Sequence, residues 1–340
     1  AAGRLDFRRS AAEVARGVRA LDFGDYWNPL TAPKIVVGDQ VLLVRAAREI
    51  VAASAALPGT VGMAERDRLE VAAGQGAVEL TGFTDTDGVP VEIADLVQPG
   101  HKLASPEADE AAALEAMLAR TLKAEPAWRR ALQGYHPVEV PLGKPAGADD
   151  WSAIRVVVPD ELTQNDAMLA ALIWALGGSG QDHADVALST PALAAAAADA
   201  PGYLSGWVPA RVIAGASMHD TAGGLDELLT RVAAGGGFAS DLPARDPQIT
   251  MAGRPGLGLA IDGAGPVPGT CATVSVKPGR VTLHVNEARL DEEAVELLAR
   301  RLETVMASVV ATSERAQPVS ALGILPASER RQTLTTWNAT

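Results

Sequence analysis

The sequence predicts two folded regions of different class: an α+β region built on a small antiparallel β-barrel, then an α/β lobe. Three observations predict it. Residues 34–97 hold short runs rich in β-branched residues, set between Gly- and Asp-containing turns. From Trp151 onward, strand-like and helix-like runs alternate, the pattern of an α/β domain. A chain of 340 residues also exceeds one typical core and suits two.

Each element has a local reason. Ser10 and Glu13 in "SAAE" form a capping-box pattern, and Val14, Val18 and Leu21 recur at helical spacing, which predicts a short amphipathic helix. "DYWNPLTAP", with two prolines, is irregular. Three strand-like runs follow: "KIVVGDQVLLVRAARE" with a Gly-Asp turn, "RLEVAAGQGAVELTGFT", and "VPVEIADLV" after the turn "DTDG". "QPGHKLASP" closes the region, giving a first domain over residues 1–103 and a boundary near residue 104.

Residues 104–150 read as a helical segment and connector: "EADEAAALEAMLARTLKAEPAWRRALQGY", broken at Pro126, then the proline-rich "HPVEVPLGKPAGADD". The lobe spans residues 151–324. "SAIRVVVP" is a strand, and "DELTQNDAMLAALIWALGG" is a helix apolar on nearly every side, hence buried. "ADVALST" is a strand, and the alanine-rich "ALAAAAADAPGYLSG" leads to "WVPARVIA". "GLDELLTRVAAGGG" is a helix ending in glycines, while "GLGLAID" and the hairpin "CATVSVKPGRVTLHVNEARL" add strands. In "DEEAVELLARRLETVMASVV", Leu298, Leu302, Val305 and Val309 share one face and Asp291 caps the helix. Residues 325–340, "LPASERRQTLTTWNAT", read as a linker. Ser328 caps a turn begun by Glu329, Arg330 and Arg331, and Leu334 with Trp337 makes one face apolar. Both ends of the chain read as those of a piece cut from a longer polypeptide.

Charge narrows the function classes. The net charge is −13; residues 1–103 carry 11 Lys/Arg against 14 Asp/Glu, and the remainder 18 against 28. Neither part offers the basic face that a phosphate backbone needs, so nucleic acid is not an expected partner. No apolar run reaches the roughly 18 residues of a membrane span and no signal sequence opens the chain, so no membrane partner is expected. The lone cysteine, Cys271, excludes an internal disulfide and fits a reducing cytoplasm.

No complete catalytic constellation is legible. His101, His136, His183, His219 and His284 share no i,i+3 or i,i+4 spacing and none adjoins a cysteine, so no metal ligands are expected. His101 and His136 read as loop residues and His284 as an exposed or capped strand residue. His219–Asp220, and His183 with Asp185, read as polar pairs in turns. "GRPGLGLAIDGAG" lacks both the G-x-G-x-x-G spacing and a strand–turn–helix context, and "GGSGQD" reads as a helix C-cap and turn. No G-x-S-x-G elbow occurs, and Cys271 opens a strand as a buried structural thiol. No catalytic, cofactor-binding or metal residue is therefore assigned.

Two stretches resemble known families. "RLDFRRSAAEVARGVRALDFGDYWNPLTAPKI" and the small barrel ending in "GHKLASP" resemble the C-terminal subdomain of formyltransferases of the methionyl-tRNA formyltransferase type. The catalytic Asn-His-Asp chemistry of that family belongs to an N-terminal half with no equivalent here. Residues 105–340 resemble the second lobe of a condensation domain of nonribosomal peptide synthetases, a CoA-dependent acyltransferase-like fold. The carriers are "AWRRALQGYHPVEVPLGKPAG", "MLAALIWALGGSGQDHADVALSTPA", "GYLSGWVPARV" and "CATVSVKPGRVTLHVNEARLDEEAVELLARRLETVM". "LGILPASERRQTLTTWNAT" is similar to the linker that joins condensation to adenylation domains. Condensation chemistry relies on an HHxxxDG motif in the first lobe, and this sequence has no His-His pair.

The resemblance implies a non-catalytic scaffold in the initiation module of a bacterial, cytoplasmic nonribosomal peptide synthetase making a natural product. It would join a formyltransferase-like domain to an adenylation domain. Implied partners are the upstream formyltransferase-like half and the adenylation and carrier domains of the same synthetase. Implied cofactors, none of them in this fragment, are 4'-phosphopantetheine on the carrier, ATP with Mg for adenylation, and formyl-tetrahydrofolate. Two alternatives remain at this stage. One is a module binding a carrier protein or acyl substrate, against which the acidic second part weighs. The other is an acyltransferase using His219 or His183.

Overall fold

The computed structural model describes residues 2–50, 56–140, 149–179, 181–250, 255–312, 314–326 and 329. The helices are α1 (Ala11–Ala20), α2 (Ala108–Thr121), α3 (Glu125–Gln133), α4 (Gln164–Ser179), α5 (Pro191–Asp199), α6 (Met218–Gly235), α7 (Leu242–Arg245) and α8 (Glu292–Ala311). The strands are β1 (Lys34–Val37), β2 (Gln40–Ile50), β3 (Val61–Glu65), β4 (Arg68–Ala72), β5 (Ala77–Thr84), β6 (Trp151–Arg155), β7 (His183–Ser189), β8 (Val208–Ile213), β9 (Leu257–Ile261), β10 (Ala272–Lys277) and β11 (Arg280–Asn286). They form two units: residues 1–134 with 196–205 and 237–250, and residues 135–195 with 206–236 and 251–340.

In the first unit the strands pair antiparallel in the order β1-β2-β5-β4-β3 and curl into a half-barrel. Its core holds Phe7, Ile35, Leu42, Leu69, Leu80 and Phe83. Helix α1 contributes Val14 and Val18 to that core. Ten residues are too few for a stable isolated helix, so this burial holds it, each apolar side chain adding roughly 1.5–3 kcal/mol. The expected capping box is formed: Ser10 Oγ accepts from the Glu13 amide at 3.3 Å, and Glu13 Oε2 accepts from the Ser10 amide at 3.0 Å.

The run "VPVEIADLV" is not a strand. It gives one bridge, Thr84 to Pro90, and a 3-10 turn over Ile93–Asp95. Pro90 has no N–H for a ladder, and Ile93 and Val97, four apart, are buried together, so the local period is helical. The fifth strand is β3 instead, which "VGMAE" with its glycine does not announce. Residues 105–110 are fastened to residues 4–8 of the same unit. Phe7 N donates to Ser105 Oγ at 3.0 Å, Arg8 donates to the Pro106 carbonyl at 2.5 Å, and Arg4 pairs with Glu110 at 2.5 Å. Pro126 lies in the first turn of α3, where its missing N–H is harmless.

The second unit is built on a six-stranded sheet of order β6-β11-β10-β9-β7-β8, in which β9 runs parallel to both neighbours. Register makes the sheet two-faced. Ile154, Leu283, Val274, Leu259, Leu188 and Val208 form one row; Ala153, His284, Thr273, Gly258 and Ala187 form a row on the opposite face. Helix α4 packs on this sheet against β7–β10, and its residues 167–176 are buried throughout, as expected of a helix apolar all round. Trp174 Nε1 donates to the Leu298 carbonyl of α8 at 3.1 Å, and α8 buries Leu298, Leu302, Val305 and Val309. Asp291 accepts from the Ala294 amide as its N-cap.

Candidate functional site

The expected loop, strand and turn positions of the histidines resolve as follows. His101 is an exposed loop residue. His284 on β11 is half-buried, and burial together with Lys277 pushes its imidazole below the usual range. His219 and Asp220 are not in an open turn: α6 begins at Met218, and Ser217 caps it by accepting from the Asp220 amide at 3.0 Å. Ser217 Oγ in turn donates to Asp220 Oδ2 at 2.6 Å, which holds that carboxyl below the usual carboxylate range. Cys271 is buried next to β10; burial pushes its thiol up, against the opposing pull of Arg289. That is the environment of an inert thiol.

His183 and Asp185 lie in β7, not in a turn, and do different work. Asp185 is buried and takes a two-point grip from Arg211 on β8, at 2.7 and 2.6 Å, across the register pair. It also accepts the His136 amide at 2.7 Å, which ties residues 136–137 alongside β7. His183 instead pairs through Nδ1 with Asp182 Oδ1 at 2.8 Å. The rings of His136 and His183 lie with centroids 5.7 Å apart and planes tilted by 57°, a juxtaposition that sequence spacing did not reveal. Tyr135 is buried against Trp207 with ring centroids 5.6 Å apart; burial, then the Asp185 charge, pushes its phenol well above the usual range.

The densest charge cluster lies in the first unit and was not anticipated. Lys34, Asp241, Arg245 and Glu125 are all buried. Asp241 accepts from Lys34 Nζ at 2.5 Å, the Ala32 amide at 2.9 Å, Thr31 Oγ1 at 3.0 Å and Arg245 Nε at 3.0 Å. Arg245 reaches Glu125 at 2.6 Å and stacks over Trp27, as Arg129 does. Burial raises the Asp241 carboxyl, but Lys34 and Arg245 more than reverse this and leave it at about 2. For Lys34, burial outweighs Asp241 and moves the ammonium down. The asymmetry follows from the partners: the carboxylate has two cations, whereas the ammonium has one carboxylate and a second cation, Arg245, nearby. The short contact and the surrounding acceptors fit a charged pair. Every group here is committed to another, which is the arrangement of a structural clamp.

A groove of about 850 Å³ in the same unit is lined by Phe23, Tyr26, Arg45, Arg66 and Phe83 among others, with neither His, Ser nor Cys among the described residues of its wall.

Residues 314–326 and Glu329 are fastened to the rest of the second unit. Met218 N donates to the Gln317 carbonyl at 3.1 Å, and Val319 N and Ser320 N donate to Ala216 and Ala214 at 2.9 and 3.1 Å. Arg315 pairs with Asp166 at 2.8 Å, Ser308 Oγ donates to the Gly323 carbonyl at 3.0 Å, and Arg301 pairs with Glu329. The Ile324 methyl occupies the space a Cβ would take at Gly177 of α4. Ser328, Arg330, Arg331, Leu334 and Trp337 lie outside the described residues.

No curated protein matches the sequence. Among solved structures, a variant of the starter condensation domain of rhizomide synthetase is 13% identical, with 64% of this chain and 58% of that chain covered and a TM-score of 0.45. The X-domain from teicoplanin biosynthesis is 14% identical, with 75% and 73% covered and a TM-score of 0.46. The first condensation domain of the calcium-dependent antibiotic synthetase, in complex with a substrate analogue, is 17% identical, with 79% and 71% covered and a TM-score of 0.46. The chain thus spans less than two thirds of the length of the starter condensation domain. The family match is confined to the first part of the chain: residues 1–99 are similar to the formyl transferase C-terminal domain.

Proposed function

We propose that this chain is a non-catalytic scaffold of a nonribosomal peptide synthetase initiation module, holding a formyltransferase-like domain and an adenylation domain at a fixed reach. The family match over residues 1–99 supports the upstream half. The sequence resemblance of residues 105–340 to a condensation second lobe and its adenylation linker supports the downstream half. One observation carries the geometric role: residues 314–326 and Glu329 are pinned to α4, α6 and α8 by backbone bonds, ion pairs and the Ile324–Gly177 fit. A pinned exit keeps tethered partners at high effective concentration, which a slack linker of the same length does not. The committed state of Asp185, Asp241 and Arg245 fits a structural rather than an acid–base role. Partners under this reading are the adenylation and carrier domains of the same polypeptide, with 4'-phosphopantetheine, ATP with Mg and formyl-tetrahydrofolate serving those domains.

The test is an immunoblot of the producing cell with antibody raised to this chain. A band several times larger than 35.0 kDa is expected. A band at that mass overturns the scaffold reading and returns the search to carrier or acyl-substrate binding.

A further inference from the structure

We propose that His136 and His183 form a binding site for one divalent transition-metal ion of the nitrogen-seeking class, zinc, nickel or copper, with water in the remaining positions. The proposal is independent of the scaffold reading. Two imidazoles sharing one ion at ~2.0–2.1 Å from each nitrogen have centroids roughly 5–6 Å apart. The observed separation is 5.7 Å.

The proton placement is suited to it. An ionised carboxylate only accepts, so Asp182 Oδ1, 2.8 Å from His183 Nδ1, puts the imidazole proton on Nδ1 and leaves the Nε2 lone pair free. Nε2 is buried and has no hydrogen-bond partner among the described residues. A buried acceptor left this way costs about 1–3 kcal/mol, which an ion would relieve. The other ligand is held in place by its backbone: the His136 amide donates to Asp185 at 2.7 Å while its side chain is at the surface. Local charge favours a cation: Asp182 and Asp185 place two carboxylates beside the pair, and Arg211 is gripped by Asp185.

Among the described residues no group of three His, Cys, Asp or Glu has metal-holding geometry, so the site offers two protein ligands and open positions. Imidazole-only ligation selects zinc, nickel or copper over magnesium or calcium. The bound ion would staple residues 135–137, where the connector begins, to β7.

The experiment uses the whole chain without a polyhistidine tag, freed of metal by chelation and titrated with nickel or zinc chloride by calorimetry. One ion per chain is expected. Binding is lost in His136→Ala and in His183→Gln, weakened about tenfold or more in Asp182→Asn, and unchanged in His101→Ala and His219→Ala. His136 is exposed, so its variant is expected to melt as the parent does and loss of binding cannot be assigned to unfolding. Unchanged affinity in His136→Ala, no saturable binding by the parent, or equal loss in His101→Ala overturns the proposal.

Discussion

Substituting Asp241→Asn tests the reasoning about the buried clamp most directly. The side chain is 3% exposed and accepts four hydrogen bonds, two of them from cations. Asparagine keeps the shape but removes the charge, and its amide group turns one acceptor into a donor that faces donors. Arg245 retains Glu125, at 2.6 Å, whereas Lys34 is left buried beside Arg245 with no carboxylate. Breaking a buried pair from one side costs about 3–5 kcal/mol. For a unit of this size each kcal/mol lowers Tm by roughly 2–4 °C, so a fall of roughly 6–20 °C is expected. Calorimetry gives the shift. Fluorescence of Trp27, which lies against Arg129 and Arg245, assigns it to the first unit. The double variant Lys34→Met with Asp241→Leu removes both charges and is expected to recover much of the loss, because an apolar replacement of similar volume leaves nothing uncompensated. A shift below about 2 °C for Asp241→Asn refutes the reasoning. So does a double variant no more stable than the single one.

Two further outcomes follow from the same contacts. Asp241 titrates at about 2 in the folded chain against 3.8 when free, a depressed value, so its contribution is fully present above about pH 4 and is lost as pH falls towards 2. The difference corresponds to about 2–3 kcal/mol, read as a steeper acid fall in Tm for the parent than for the uncharged double variant. Gly177→Ala puts a methyl where Ile324 sits and is expected to speed proteolysis around residues 322–340. Because alanine favours α4 by about 1 kcal/mol over glycine, Tm is expected to hold or rise; unchanged cleavage counts against the pinned exit.

What the sequence made legible was whatever is decided within a few residues. The Ser10–Glu13 box, the Asp291 cap with its apolar face, and the Pro-Gly hairpin between β10 and β11 are each written in a window shorter than one element. The misreadings occur where a distant partner decides. "VPVEIADLV" has the composition of a strand, yet Ile93 donates to the Arg66 carbonyl and turns helically into the core. Helix α6 starts at Met218, ahead of the expected "GLDELL", because Ser217 caps it and residues 315–318 receive its first amides. The charged groups are the extreme case. Lys34 reads as a lone charge at the end of an apolar strand, and its carboxylate partner arrives from the residue preceding α7, more than 200 residues later. Hydrophobic period tells which face is buried, but a charge carries no period, so nothing local announces which opposite charge will meet it. The same holds for His136 and His183, whose spacing excluded a ligand pair along the chain but not through space. A motif search fails on such a chain for a physical reason: Asp241 and Arg245 are held by residues 31–34 and by Glu125, and the clamp exists only once all three stretches are in place. If position rather than turnover is what the chain supplies, the side chains to substitute first are these long-range partners, since each fixes a distance between segments that no local element fixes.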